Sequence, residues 1–170
     1  KLFKLICIEV SHCHYLIILS ILYIYTYTQI GGAECYLIIH LNFAIIVGDL
    51  NDYKHGMDNY CRTQFNYFAD VYSHLLPEGT KEGLNQQEDA VNQLNYLCTQ
   101  SKKSGQKIYL FIDEYDHFTN TILSSPESLR RYTDETHGEG YLRAFFNKVK
   151  AGTDSCIKRC FITGVSPVTM

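Results

Sequence analysis

Apolar residues are grouped along this chain in a way that predicts strands alternating with helices. Residues 36–47 read YLIIHLNFAIIV, an apolar run broken only by His40 and Asn42. Such near-continuous runs suit a strand buried on both faces, as in a parallel sheet. His40 within it reads most simply as a core histidine with a satisfied partner. Gly48-Asp49 and Asn51-Asp52 then turn the chain. From Tyr53 the period changes. Tyr53, Met57, Tyr60, Cys61, Phe65, Phe68, Val71, Tyr72, Leu75 and Leu76 recur at three- and four-residue steps, which predicts a helix ended by Pro77 and Gly79. An aromatic stripe at this spacing reads as a core face rather than a base-stacking surface. After a polar loop, Asn85 reads as the cap of a second helix, with Glu88 at the capping-box position. Ala90, Val91, Leu94, Leu97 and Cys98 form its apolar stripe. Lys102 and Lys103 suit the negative end of the helix dipole, and Gly105 suits the C-cap.

A second strand, KIYLFI at 107–112, runs into Asp113-Glu114-Tyr115-Asp116. Ser125-Pro126 opens a further helical stretch, with proline at the first helical position, broken by Gly138 and Gly140. Tyr141, Leu142, Phe145, Phe146 and Val149 form the face of a last helix closed by Gly152. CFITGV at 160–165 is a third strand, which runs into Ser166-Pro167. Strands separated by helices imply crossover connections, hence an α/β fold with a parallel sheet and right-handed links. The sequence shows no internal repeat, low-complexity tract or long linker.

Composition narrows the class. The 170 residues are 46% hydrophobic and 19% charged, which suits a domain with a real core and excludes a disordered chain. A net charge of −3 argues against a general nucleic-acid binder. The charges are uneven: residues 1–50 hold five of the 33, and residues 101–150 hold fifteen. The densest apolar stretch, YLIILSILYIY at 15–25, is shorter than the ~20 residues that span a bilayer. Lys1 and Lys4, with Gly31-Gly32-Ala33 downstream, leave a signal or anchor as an alternative, but Thr26 to Gln29 fit it poorly. A buried, strand-favouring segment is the preferred reading, with a cytoplasmic location and no membrane partner. Seven cysteines at irregular spacing, with no C-x-x-C, read as reduced, packed thiols rather than zinc ligands.

The candidate chemistry lies at the strand ends. An apolar strand delivering Asp113 and Glu114 at its carboxyl end is the Walker B arrangement. The buried strand fixes its own end, so the first carboxylate suits Mg²⁺ and the second suits the water that attacks a terminal phosphate. Ligands of open α/β sheets bind at that end of the strands. Thr163 and Ser166 close the third strand, where a hydroxyl suits a phosphate or the attacking water. The plainer readings are a solvated acidic loop and a simple turn.

YLFIDEYDHF (109–118), YLRAFFNKVKAG (141–152) and RCFITGVSPVTM (159–170) together resemble the predicted AAA-ATPase-like family of P-loop proteins. YLIIHLNF (36–43) resembles that family's strand after the P-loop helix, and LYIYT (22–26) the segment before it. The likeness covers 36–170, more weakly 22–35, and none of 1–21. It implies a partial P-loop NTPase three-layer fold, a parallel sheet with strands near 36–46, 107–113 and 159–164 and the middle one central. It implies ATP and Mg²⁺ as cofactors: Asp113 serves the metal, Glu114 activates water, and Thr163 or Ser166 senses phosphate. Asp116 belongs to the motif without an assigned role, and Arg143 is not assigned as an arginine finger.

The family's glycine-rich phosphate loop is missing: no G-x-x-x-x-G-K-[ST] occurs. Residues 1–35 therefore read as an apolar, poorly assigned segment and 36–170 as an incomplete domain, a fragment of an ATPase whose phosphate loop was cut off or replaced by residues 1–21. The third strand then forms an apolar edge, and segment 15–25 is expected either to cover it or to dangle as a poorly placed helix or strand. Two alternatives stay open: a catalytically inactive protein-interaction module of the same fold, and a metal-dependent nuclease using Asp113, Glu114 and Asp116, which lacks the lysine such a site needs. The possible partners are ATP and a protein partner or a second copy.

Overall fold

The computed structural model describes residues 36–46, 53–117 and 140–164. Their elements, in chain order, are β1 (Leu37–Asn42), a 3₁₀ turn (Phe43–Ile45), α1 (Tyr53–Val71), α2 (Thr80–Asn85), α3 (Ala90–Lys103), β2 (Ile108–Asp113), α4 (Tyr141–Thr153) and β3 (Ile157–Ile162). The three strands form a parallel sheet in the order β1-β2-β3, so β2 is central as expected. Leu37 to Asn42 pair with Ile108 to Asp113 in unbroken register, and Phe111 and Ile112 pair with Phe161 and Ile162. Asn42, Asp113 and the end of β3 are thereby level with one another. Segment 15–25 and the helix expected from Ser125-Pro126 lie outside the described residues.

One side of the sheet carries the core. Leu37, Ile39 and Leu41 of β1 and Ile108, Leu110 and Ile112 of β2 pack with Met57, Cys61 and Phe65 of α1, Leu94 and Leu97 of α3, and Phe145 and Val149 of α4. The opposite side of the sheet carries Tyr109 stacked on Phe111 at 4.2 Å, with Phe161 and His40 beside Phe111. His40 is exposed rather than buried in the core. The period-two geometry of a strand places it on the face opposite Ile39 and Leu41. Phe111 is itself buried, which is why the apolar run of β2 showed no alternation.

The aromatic stripe of α1 does more than fill space. The Tyr72 hydroxyl accepts from the Ile38 backbone N–H at 3.2 Å, and the Tyr60 hydroxyl accepts from Asn42 N–H at 2.7 Å. These donors lie on the side of β1 away from β2, so the two hydroxyls satisfy a strand edge that otherwise has no ladder partner among the described residues. Burial pushes the Tyr60 phenol above its ordinary pKa.

Several boundaries differ from the pattern. β1 ends at Asn42, not at 46, because the Asn42 side chain accepts from Ala44 N–H at 2.9 Å and starts the 3₁₀ turn. The apolar residues after it hide that stop. α1 ends at Val71, and Leu75 and Leu76 are held by turn bonds to the Tyr72 carbonyl. The expected polar loop contains α2, entered through Gly79 at φ 77° and anchored by buried Leu84. Asn85 does not cap the next helix. Its amide pairs reciprocally with that of Asn66 (3.0 and 3.1 Å), and Asp89 caps α3 by accepting from Asn92 N–H at 2.8 Å. β3 starts at Ile157, two residues early, with Lys158 and Arg159 exposed on it. Those charges mask the strand's start in the sequence.

A buried carboxylate joins three helices. Asp58 of α1 accepts from the Ala90 backbone N–H (2.8 Å), from the Tyr141 hydroxyl and from Lys54 Nζ (3.0 Å). An anion at the first turn of α3 also suits that helix's dipole. Burial, then the bond to Asp58, pushes the Tyr141 phenol above its ordinary pKa. Asp58→Ala leaves the Ala90 N–H and the Tyr141 hydroxyl without this acceptor. It is expected to cost about 2–3 kcal/mol, while Tyr141→Phe costs about 1 kcal/mol, both read from urea unfolding. Equal costs would place the junction's strength in the tyrosine instead.

Among the described residues, Cys61, Cys98 and Cys156 are buried, Cys160 is half-buried, and all four are free thiols. Burial pushes the Cys160 thiol up to about 12. No helix among the described residues is long and apolar enough to cross a membrane.

Candidate functional site

The sequence-predicted carboxylates stand at the carboxyl end of the central strand. Asp113 is the last residue of β2, level with Asn42 of β1, and only 3% exposed. A short turn follows it, with the His117 N–H donating to the Glu114 carbonyl at 3.0 Å. Tyr115 and Asp116 are buried in that turn, and Glu114 is half-buried.

The end of β3 fastens this turn. Thr163 N–H donates to the Ile112 carbonyl at 2.9 Å, extending the ladder one step past the strand. Tyr115 N–H donates to the Thr163 carbonyl at 3.0 Å. The Thr163 hydroxyl, itself buried, donates to Asp113 Oδ1, and the same oxygen accepts from Glu114 N–H at 3.1 Å. Two donors therefore converge on one oxygen of the Asp113 carboxylate.

Glu114 carries the site's unusual backbone. Its φ of 53° makes it the one non-glycine residue with positive φ among the described residues. This left-handed region is uncommon for a residue with a Cβ, and such outliers concentrate at functional sites. Gly164, next to Thr163, packs flat on the turn. A Cβ there would meet Asp116 Oδ1 and come within 2.5 Å of the Tyr115 ring. From below, the Tyr115 ring meets Phe146 of α4 edge-on at 6.4 Å, and Phe146 and Phe145 pack against Phe43 beyond β1. One helix therefore supports the chain beyond the ends of both β1 and β2.

Asp113, Glu114 and Thr163, three of the four sequence-predicted residues, come together here. Ser166 lies outside the described residues. Arg143 is exposed on the first turn of α4. Sequence reasoning missed Gly164 and Asn42. The TG step of FITGV marks Gly164 only once the turn it touches is known, and Asn42 becomes a neighbour of Asp113 only through the register.

The donor set suits Mg²⁺. That ion takes oxygen ligands, and it is usually held by one or two carboxylates together with water and substrate phosphates rather than by a protein cage. Asp113 supplies such a carboxylate. Among the described residues no group of three or more His, Cys, Asp or Glu side chains is placed to hold an ion alone.

No curated protein and no solved structure matches the chain. A family model described as a predicted AAA-ATPase matches residues 17–170, a span that begins before the motifs themselves. Its description supports an ATPase-like function and the use of nucleotide in general terms. By that match over most of its length, the chain belongs to the AAA-ATPase-like family.

Proposed function

We propose that this chain carries the metal-binding and water-activating part of an ATP-hydrolysing site in a partial P-loop, three-layer fold. Asp113 contributes a carboxylate to Mg²⁺, and Glu114 accepts the proton of the water that attacks the terminal phosphate. The observation that carries the reading is the Asp113-Glu114 pair at the carboxyl end of the central parallel strand, with a hydroxyl of the next strand on Asp113. Mg²⁺, when bound, neutralises charge on the phosphates. The chain's own residues do the rest. β2 and β3 fix the Asp113 carboxylate and the backbone on either side of Glu114 before any ligand arrives, and Asp113 is buried from water. Either Thr163 or Ser166 is proposed as the hydroxyl that meets the phosphate. A hydroxyl donates one proton, so Thr163 gives up its bond to Asp113 whenever it donates to phosphate.

The phosphate cradle is proposed to come from outside these 170 residues, because the sequence holds no G-x-x-x-x-G-K-[ST]. Labelled ATP titrated with Mg²⁺ into the 170-residue chain is then expected to bind only weakly. With the phosphate loop joined to the chain, Glu114→Gln is expected to lower turnover by roughly 10²-fold or more while ATP binding is kept. Tight binding by the chain alone would overturn the missing cradle. Turnover unaffected by Glu114→Gln would remove Glu114 from the reaction, and no turnover at all with ATP bound would favour the second reading, an inactive interaction module, which the absent phosphate loop also supports.

A further inference from the structure

We propose that Thr163 and Gly164 are positioning residues: the end of β3 clamps the acidic turn and holds Glu114 in its left-handed backbone conformation. The inference rests on the reading that Glu114 acts at this site, and it assigns to Thr163 a task other than phosphate contact.

The backbone conformation of Glu114 is costly. A non-glycine residue at φ 53° is disfavoured sterically and persists where its surroundings over-determine it. Glu114 is bracketed by such constraints. On its N-terminal side, Ile112 is tied through its carbonyl to Thr163 N–H, and Asp113 is tied through its carboxylate to the Thr163 hydroxyl. On its C-terminal side, Tyr115 N–H is tied to the Thr163 carbonyl. Thr163 thus grips the chain both before and after Glu114 with its N–H, its hydroxyl and its carbonyl. With both flanks fixed to one residue, the intervening peptide has to turn sharply, and the left-handed region provides that turn.

Gly164 makes the grip possible. Any side chain there would collide with the Tyr115 ring and with Asp116, which is fully buried against it. The contact is to a packed ring and a buried carboxylate, so relief requires the turn itself to move. A left-handed residue sends its Cα–Cβ bond in a direction that an extended residue cannot. The clamp therefore sets where the Glu114 side chain leaves the backbone, and does so before ligand binds. This is positional preorganisation of a group argued to act on water.

The test is NMR on the 170-residue chain. The amide-to-Hα coupling of Glu114 reads its φ, and amide exchange reads the Tyr115 bond to Thr163. Gly164→Ala is expected to move the Glu114 coupling to that of an extended residue and to speed Tyr115 exchange tenfold or more. Leu97 and Leu110 amides, in the core, should exchange as before, which shows that the domain is still folded. Thr163→Val, which adds no bulk, should shift the same two signals, and Thr163→Ser should restore them. A folded Gly164→Ala or Thr163→Val with an unchanged coupling and a protected Tyr115 amide would overturn the clamp. If Gly164→Ala unfolds the chain, the Val and Ser pair decides alone. None of these signals needs nucleotide, so they stand apart from the assignment of Glu114 to the reaction, whose own failure shows as turnover indifferent to Glu114→Gln.

Discussion

Asp113→Ala is expected to abolish Mg²⁺-dependent ATP turnover and also to lower stability by about 2–4 kcal/mol. The two losses have different origins. The stability loss follows from the hydrogen bonds. Asp113 Oδ1 accepts from the buried Thr163 hydroxyl and from Glu114 N–H. Alanine leaves both donors without this acceptor, at about 1–3 kcal/mol each before relaxation. The loss of turnover follows from charge, because Mg²⁺ at such sites is usually held through one or two carboxylates, and a neutral side chain binds it more weakly. Asp113→Asn separates them. An asparagine carbonyl can accept from Thr163 and Glu114 in the same shape, so stability should fall by only about 1 kcal/mol, while turnover is still lost. Urea unfolding of the 170-residue chain gives the first quantity. An ATPase assay on the chain joined to its phosphate loop gives the second. An active Asp113→Asn variant would remove Asp113 from the metal. An Asn variant as unstable as the Ala variant would mean that charge, rather than the acceptor, holds the turn.

The parts of this picture legible in the sequence are those written in local patterns. β2 was readable because apolar residues and a terminal acidic pair are contiguous, and its central place was implied by the family resemblance. α3 and α4 were readable from their stripes. What could not be read depends on pairs that only the fold brings together. Asn85 and Asp89 are both good caps, and the choice between them is made by Asn66, which pairs with Asn85 from another helix. His40 sits in an apolar run yet faces outward, since β1 presents alternate residues to opposite sides and only one side meets the helices. The start of β3 was hidden by Lys158 and Arg159. At the site, residue identities were legible and their connections were not. Nothing in the sequence says that Thr163 bonds to Asp113, 50 positions earlier, or that Gly164 is required by the ring of Tyr115.

Those long-range contacts lead to the largest expected loss of stability, that of Phe145→Ala. Phe145 is fully buried, and its ring lies 6.0 Å edge-on from both Phe43 and Phe146. Truncating a buried phenylalanine removes its transfer free energy and leaves a cavity, together about 3–5 kcal/mol. Collapse around the gap is limited here. Phe43 is fixed by the 3₁₀ turn that Asn42 starts, and Phe146 is engaged by Tyr115. The cost should therefore lie in the upper part of that range, and Phe145→Leu should recover more than half of it. Thermal and urea unfolding of the 170-residue chain measure both. The damage should also be uneven. Phe43, Phe145 and Phe146 form a cluster of mutual ring contacts that continues through Phe146 to Tyr115, from the end of β1 to the acidic turn. Loosening the cluster should speed amide exchange at Tyr115 before it affects Leu110, deep in β2. Uniform acceleration would show that the rings only fill volume. Loss confined to the turn would make α4 the element that sets the stiffness of the site, through packing rather than through any polar contact with the carboxylates.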